Sequence, residues 1–409
     1  MTPLSRARLS VTALVAGHTL SRTGNVITIF VVPFTVLATG GDAVQVGIAA
    51  AAATAPIIIG GPLGGVIVDR IGYLRSSIGA DIVSGATIAL IPLLAMWGVT
   101  SFPLLLTLVF LSGLLDTPGE TARHVLLPGL SVEAKIPLER SVGFLDGATR
   151  ASSLLGAPLA AVLIVTAGPY PALFATAALF AASALLTALF VRPGPVDDTA
   201  PAERTGYWSD LRAGLRFVVS DPLLRLIVLL VLVTNTLDAA RSGALMPLYA
   251  TERLDGAASL GVIVAVFGGS ALAGSVLFGL VAHRLPRRIT FVVCFTIAGC
   301  SLLGPALGLD TPWLVGFSVV CGFAAGALNP ILGAVQLERI PAPMRARVLG
   351  LITAGAWAGM PLGAVLGGLS VDLFGLTVTF TVALVIYLLA TLSPLLGGPW
   401  RLMERQSSG

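Results

Sequence analysis

The chain has 409 residues, of which 56% are hydrophobic and only 11% are charged. Soluble proteins carry about a quarter of their residues as charged side chains, so the mean hydropathy of +0.96 excludes a soluble domain. The formal charge of +4 lies almost entirely on Arg side chains between apolar runs. This distribution is typical of loops at an anionic membrane face and excludes a basic groove for nucleic acid.

The apolar residues come in runs of about twenty or more, which is the length of a membrane-spanning helix. Gly, Pro and charge clusters divide them into twelve predicted helices. These lie near 9–38, 43–68, 77–97, 102–122, 141–166, 170–191, 223–249, 257–282, 289–308, 312–337, 346–371 and 374–397. Because Arg22 interrupts the first run, we interpret that run as a retained helix and not as a signal peptide.

One long polar stretch divides the chain. We therefore predict a six-helix bundle over 1–191, a cytoplasmic linker over 192–222 and a second six-helix bundle over 223–409. Within the linker, Trp208–Val219 has the pattern of a short amphipathic helix on the membrane surface, and a flexible linker fits nearly as well. Basic residues crowd the loops on the side of the N-terminus, whereas the opposite loops hold only Arg253. This asymmetry predicts a multi-pass protein of the cell membrane with both termini in the cytoplasm.

The two halves also resemble each other in sequence. A shift of about 213 residues sets Asn25 on Asp238, Asp116 on Asn329, and Leu127-Pro128 on Ile340-Pro341. Matches in the same order and in equivalent helices indicate a duplication. Repeated halves usually enclose a midplane site that opens alternately to each side. The predicted fold class is therefore all-α integral membrane, with twelve transmembrane helices in two six-helix pseudo-repeated bundles.

Four polar residues lie near the middle of two repeat-equivalent helices, Arg22 and Asn25 in the first and Asp238 and Arg241 in the seventh. A charge in the middle of a membrane is costly unless it is paired or hydrated. We therefore predict that these residues form part of the substrate or coupling site. The alternative is a structural ion pair, because Asp238 and Arg241 are i, i+3 neighbours.

Asp116 and Glu120 lie four residues apart, so their carboxylates share one face of the fourth helix. Two close anions in a low-dielectric medium do not both ionise easily, so one of them can carry a proton at neutral pH. We expect Glu120 to pair with Arg123 and to serve a cytoplasmic gate. Asp116, deeper in the helix, is then the candidate proton carrier.

Three further residues complete the predicted pathway. Asp146 and Arg150 have the favourable order for an i, i+4 pair, so either they pair or Arg150 binds an anionic substrate. Asn329 is included as the repeat partner of Asp116. Asp81, at the start of the third helix, is expected to be a gate partner or a helix cap.

The segment Gly65-Val-Ile-Val-Asp69-Arg70-Ile-Gly72-Tyr-Leu-Arg75 resembles the loop 2–3 signature of the major facilitator superfamily, and Gly279 to Arg288 echoes it. Most of the chain is similar to the macrolide-efflux and enterobactin-exporter branch of that superfamily. Gly60 to Arg70, Pro118 to Arg123, Leu127-Pro128 and Asn329-Pro330 carry this similarity. The resemblance implies a cytoplasmic gate made of Gly65, Asp69, Arg70, Gly72, Arg75, Asp81, Glu120, Arg123, His283 and Arg284.

Exporters of this superfamily carry a Gly-Pro motif in the fifth helix, which Gly156 and Pro158 partly match. A fuller version, Gly359-Met-Pro361-Leu-Gly363, lies in the eleventh helix. Small residues of this kind let helices bend or slide at a packed interface, and simple close packing is the alternative.

Enzyme signals are poor. His18, His124 and His283 are scattered and make no metal site, and the chain has no Gly-rich phosphate loop with Lys. We predict no catalytic residues, no metal and no cofactor. The predicted function is secondary active export of a small amphipathic molecule (a drug, an antibiotic or a secondary metabolite) by proton antiport and alternating access. The partners are this substrate, protons and the lipid bilayer, with no nucleic acid, and the chain is a monomer. The alternatives are import of a nutrient by symport and a non-transporting membrane enzyme or receptor.

Overall fold

A computed structural model of the chain describes residues 3–99, 101–192, 207–341 and 345–404. Within these ranges the side chains of 3, 57–67, 69–70, 139, 207–211, 213, 283 and 345–347 lie outside the description. The regular structure of the described residues is helical throughout. The helices group into two compact units, Met1–Thr199 and Ala200–Gly409.

The described part of the N-terminal unit forms six helices, α1 (Pro3–Ala38), α2 (Ala43–Ile71), α3 (Tyr73–Met96), α4 (Phe102–Ala134), α5 (Leu138–Ala167) and α6 (Pro169–Phe190). α1 packs against α4, α5 and α6, and α3 packs against α4 and α6. Single residues separate two of the helix pairs, Gly72 between α2 and α3 and Gly168 between α5 and α6. Both have φ near +90°, which glycine adopts without a steric penalty.

The C-terminal unit begins with α7 (Tyr207–Ser220), which covers the segment predicted as an amphipathic helix. Nine further helices follow in the described residues: α8 (Pro222–Ala240), α9 (Met246–Arg253), α10 (Ala257–Val281), α11 (Arg287–Gly299), α12 (Leu303–Ala306), α13 (Thr311–Ala325), α14 (Leu328–Arg339), α15 (Arg345–Trp357) and α16 (Met360–Leu392). α8 packs against α15 and α16, and α10 packs against α13.

Irregular backbone joins or interrupts several of these helices. A π-helical segment, Arg241–Leu245, joins α8 to α9 without a loop. Ala358 and Gly359 separate α15 from α16, with Pro361 in the first turn of α16. Inside α16, Gly375 has φ 77° and ψ 166°, so the helix is interrupted there.

Ten helical stretches in the described residues are long and apolar enough to cross a membrane. Many of their large apolar side chains point outward, such as Leu280, Leu373 and Leu389, each more than 60% exposed. An outward apolar surface suits hydrocarbon and not water. The chain is therefore an all-α, multi-pass membrane protein.

The fourth helix is much longer than the hydropathy pattern predicts. α4 continues to Ala134, whereas the sequence prediction ends it at 122, where Glu120 and Arg123 introduce charge. The extension is stable because its apolar face is buried. Leu126, Leu127 and Leu130 pack in one core cluster with α1 and α5.

Candidate substrate and proton pathway

A buried carboxyl joins α4 to α1. Asp116 is 5% exposed, and its Oδ2 accepts a hydrogen bond from Asn25 Nδ2 at 2.7 Å. Its Oδ1 accepts a longer bond from the Ser21 hydroxyl at 3.3 Å. Both donors are neutral side chains of α1, one helical turn apart. Among the described residues no basic group lies within ion-pair distance of Asp116.

A second buried acid, Asp81 on α3, has the opposite environment. Arg123 Nη2 of α4 lies 2.6 Å from Asp81 Oδ1, and Arg123 Nε donates to the Ser77 hydroxyl at 3.2 Å. The Ser183 hydroxyl of α6 donates to Asp81 Oδ2 at 2.6 Å. Arg123 and Asp81 are both almost completely buried. This short, hydrogen-bonded ion pair ties α3, α4 and α6 together.

The expected Glu120–Arg123 pair is therefore wrong. Arg123 is engaged by Asp81, and Glu120 lies beside Arg22 of α1 instead, with Oε2 3.6 Å from Nη1. At that distance the two side chains attract each other without a hydrogen bond. The buried Nε of Arg22 has no hydrogen-bond partner in the described structure. The Arg22 guanidinium is thus paired only at long distance.

The same helices bring two histidines together near α5. His18 is 1% exposed, and its Nε2 lies 2.9 Å from the Thr149 hydroxyl. Its ring meets that of His124 edge-on, with 6.0 Å between the centroids. His18 Nδ1 has no partner among the described atoms. The polar interior of the N-terminal unit therefore extends from Asp116 through α1 toward α5.

The C-terminal unit has a comparable group on α8 and the π segment. Asp238 Oδ1 lies 3.6 Å from Arg241 Nε, and Asp238 Oδ2 accepts a long hydrogen bond of 3.4 Å from the Tyr387 hydroxyl. The Arg241 guanidinium carbon lies 5.5 Å from the centroid of the Phe267 ring, within the range of cation–π attraction. Arg241 Nε, like Arg22 Nε, lacks a hydrogen-bond partner in the described structure.

Arg241 is also the first residue of the π-helical segment. A π-helical turn shifts the side chains that follow it relative to an α-helix, and such turns are frequent at functional sites. Within the segment, Gly243, Ala244 and Leu245 are buried. The loosely paired arginine therefore lies where the helix geometry changes.

Asp146, Arg150 and Asn329 are not part of these groups. Asp146 and Arg150 on α5 are both exposed, and no ion pair within 4 Å joins them in the described structure. Of the two alternatives for these residues, the intrahelical ion pair is therefore not found in the described structure, and a substrate role of Arg150 stays a prediction. Asn329 is exposed in the first turn of α14.

The predicted gate is only partly visible. Gly65, Asp69, Arg70 and His283 lie outside the described side chains. Gly72 forms the α2–α3 connection, and its N–H donates to the Val68 carbonyl at 2.9 Å. Arg75 is exposed in the first turn of α3, and Arg284 is exposed in a short 3₁₀ turn after α10.

The predicted bending residues lie at close helix contacts. A methyl group added at Gly156 of α5 would come within 2.7 Å of Val26 Cβ on α1, although α5 continues through Pro158. Gly359 and Gly363 both contact Thr236 of α8 so closely that neither position has room for a side chain. The α15–α16 break thus coincides with tight packing against α8.

The sequence model of the Major Facilitator Superfamily matches residues 14–255 and, separately, residues 228–407. The two matches together cover nearly the whole chain. The chain belongs to the Major Facilitator Superfamily. The family predicted from the loop 2–3 signature is therefore confirmed.

Relatives within the superfamily cover most of the chain. The multidrug efflux pump Tap of Mycobacterium tuberculosis is 29% identical over 365 residues, which cover 88% of this chain and 87% of that protein. The enterobactin exporter EntS of Citrobacter koseri is 28% identical over 340 residues, which cover 80% and 76%. The resemblance to an enterobactin-exporter branch is thereby also confirmed.

Two solved transporters share the fold. The nucleoside transporter NupG superposes with a TM-score of 0.71 at 12% identity, covering 98% of this chain and 99% of that one. A POT family transporter in complex with 5-aminolevulinic acid superposes with a TM-score of 0.72, also at 12% identity, covering 96% of each chain. At such low identity these structures establish the superfamily fold and nothing about the ligand.

Some residues of the site could not be identified from the sequence, because neither the family resemblance nor their spacing singles them out. Ser21, Ser183 and Tyr387 contact Asp116, Asp81 and Asp238, respectively, from other helices. Isolated hydroxyl residues are common in apolar helices, where they usually bond their own backbone, as Thr19 and Thr23 do. Their roles appear only when the packing brings them to a carboxylate.

Proposed function

We propose that the chain is a secondary active transporter that exports a small amphipathic molecule in exchange for protons, by alternating access. The observation that carries the coupling is the environment of Asp116, a buried carboxyl whose partners Asn25 and Ser21 are both neutral. An ionised carboxylate within a membrane helix is costly unless a positive charge or water compensates it. Asp116 therefore favours its protonated form until the site is hydrated.

The other acids of the same unit are poorer proton carriers. Asp81 has a guanidinium at 2.6 Å, and removing its charge would leave Arg123 buried and unpaired. Glu120 lies near Arg22 and is 37% exposed. Asp116 alone among these three gains or loses a proton without breaking an ion pair. Protonation would change the charge of the α1–α4 contact, and this change would trigger the change of access.

We further propose that Arg22 and Arg241 contact the substrate. Both keep an unpartnered buried Nε and both have an acid only at 3.6 Å. By contrast, Arg123 is fixed by short bonds. A loosely paired guanidinium can donate to a polar group of the substrate, and Phe267 supplies aromatic surface beside Arg241. Asn25, Asp238, Asp146, Arg150 and Asn329 remain proposed members of this pathway.

The direction of transport rests on the relatives. One is named a multidrug efflux pump and another an enterobactin exporter. Both names describe export, although the named substrates differ. A small amphipathic substrate also suits a pathway that combines a few charges with apolar helix faces.

We propose twelve spans. The ten candidates count Val348–Leu396 as one stretch of 49 residues. An uninterrupted helix of that length would measure about 74 Å, more than twice the hydrocarbon thickness of about 30 Å. The interruption at Gly375 divides it in two, and α2, with 29 residues, adds a twelfth. An even count with basic residues on the side of the N-terminus supports both termini in the cytoplasm of a cell-membrane protein. We propose that it acts as a monomer.

The test is transport into inverted membrane vesicles with an imposed pH gradient, with ethidium as the probe. Asp116→Asn should abolish the gradient-dependent part of ethidium accumulation, because the amide keeps the side-chain shape but carries no titratable proton. Asp372→Asn, which changes an exposed acid on α16, is the matched control and should transport normally. Gradient-driven accumulation by Asp116→Asn at the unmodified rate would refute the coupling role.

A further inference from the structure

A cavity of about 370 Å³ lies inside the N-terminal unit, at the end where α1 ends and α2 begins. Its walls are the last turn of α1, the α1–α2 turn, the end of α3, the start of α4 and Tyr170 at the start of α6. This volume is at the lower end of the range for small-molecule pockets, which is about 300–1,000 Å³. All of its walls belong to one unit.

The cavity is separate from the polar pathway. Thr35 in its wall lies ten residues beyond Asn25 on α1, which corresponds to about 15 Å along the helix axis. None of the residues that hold Asp116, Arg22 or Asp81 lines it. In the proposed orientation, this end of the unit faces away from the cytoplasm.

Its deep wall is apolar. Ile91 of α3 and Leu108 of α4 are buried at the base, and Leu94 and Leu105 extend the same surface. Phe102 adds an aromatic ring from the first turn of α4. Such a surface binds the apolar body of a ligand by removing it from water.

Three polar side chains at the cavity have unused hydrogen-bonding groups. The Gln45 amide, the Ser101 hydroxyl and the Tyr170 hydroxyl line it, and none of them bonds to another described group of the chain. An amide offers two donors and an acceptor, and each hydroxyl offers one donor. The Thr35 and Thr39 hydroxyls, by contrast, donate to carbonyls of their own helix.

The uncharged lining of the cavity favours an uncharged ligand. No Asp, Glu, Lys, Arg or His is among the described residues that line the cavity. A charged ligand would lose hydration there without gaining a counter-charge, which is unfavourable. An uncharged ligand with one or two polar groups would satisfy the amide and hydroxyls and cover the apolar wall.

We propose that this cavity is a second binding site, which takes an uncharged amphipathic molecule with an aromatic or alicyclic body and at least one hydrogen-bonding group. If the exported molecule is the ligand, it would bind here on its way out of the protein, and this role rests on the proposed function. The binding itself does not depend on that function.

The test measures protection of a cysteine at the cavity. In a full-length background with Cys294, Cys300 and Cys321 changed to Ser, Val99→Cys lines the cavity and Met96→Cys lies outside it. Both positions are well exposed, so both should react with a membrane-impermeant maleimide. The probe is N-phenylnaphthylamine, a neutral aromatic amine, added to the protein in nanodiscs without any gradient.

At ten times its half-saturating concentration, the probe should slow alkylation of Val99→Cys about tenfold, because only the unoccupied fraction reacts. Alkylation of Met96→Cys should not change. Leu105→Trp fills the cavity and should remove the protection, whereas Leu111→Trp, on the same helix but outside the lining, should keep it. Should Leu105→Trp fail to fold, Gln45→Leu combined with Tyr170→Phe serves instead and should raise the half-saturating concentration.

Equal slowing at both cysteines would indicate partition into the bilayer and would overturn the proposal, as would unchanged alkylation of Val99→Cys. Asp116→Asn should lose export yet keep the protection. Protection without any export therefore counts against the proposed function alone, and export without protection counts against the cavity alone.

Discussion

The buried Asp81–Arg123 ion pair offers the sharpest test of the packing in the N-terminal unit. Asp81→Asn keeps the shape of the side chain but leaves the Arg123 guanidinium buried without a counter-charge. Breaking a buried pair in this way costs about 3–5 kcal/mol. Ser77 and Ser183 already form hydrogen bonds with the pair. Because both hydroxyls are neutral, they do not compensate for the lost charge.

A matched surface pair controls for geometry. Arg287 and Glu338 have the same shortest N–O distance, 2.6 Å, but the Glu338 side chain is 57% exposed. Exposed pairs contribute about 0–1 kcal/mol. The Arg287 side chain is only 9% exposed and donates two hydrogen bonds to Glu338. Glu338→Gln should therefore lower the free energy of unfolding, but by clearly less than Asp81→Asn, although the two pairs look alike in distance.

The assay is reversible unfolding in mixed micelles, with the free energy of unfolding measured for Asp81→Asn, Arg123→Leu and the double variant. The double variant should lose less than the two single variants together, by roughly 2 kcal/mol or more, because it contains no unpaired buried charge. A loss below about 1 kcal/mol for Asp81→Asn, or strict additivity of the single losses, would refute the reasoning.

Two further predictions concern glycines of the C-terminal unit. Gly363→Val should sharply lower the yield of monodisperse protein in size-exclusion chromatography, because the side chain would overlap the Thr236 backbone, whereas Gly279→Val, at an open position, should not; equal yields would contradict the α8–α16 contact. Gly375→Ala should cost about 1–3 kcal/mol in unfolding free energy, because alanine is strained at φ 77°, ψ 166°. No measurable loss at Gly375 would mean that the helix is continuous there.

Much of this architecture could be predicted from the sequence. The apolar runs, the central polar stretch and the loop 2–3 signature led to the correct family, which the match over 14–255 and 228–407 confirms. These signals are local or periodic along the chain, so one sequence suffices to read them. The Gly359-Met-Pro361 motif likewise marked a position where the structure has a helix break.

The pairing of the buried charges could not be predicted in the same way. Glu120 and Arg123 are adjacent on one helical face, but Asp81 from another helix is the partner that Arg123 has. The spacing along one helix reveals only the possible ion-pair partners on that helix. Tertiary packing decides whether a charge pairs with one of them or with a residue of another helix. The π segment at Arg241–Leu245 also left no recognisable trace, since Arg-Ser-Gly-Ala-Leu has no unusual composition.

The single-residue connections at Gly72 and Gly168 have a mechanical consequence. Consecutive Cα atoms are about 3.8 Å apart, so a one-residue link gives the joined helix ends almost no slack. α2 cannot slide along α3 by a helical turn, about 5.4 Å, without distorting the backbone at Gly72 or unwinding a helix end. The same holds for α5 and α6 at Gly168. During any motion that accompanies transport, the two helices of each hairpin, α2–α3 and α5–α6, therefore have to stay joined at the connected end, and the angle between them can change only about that end.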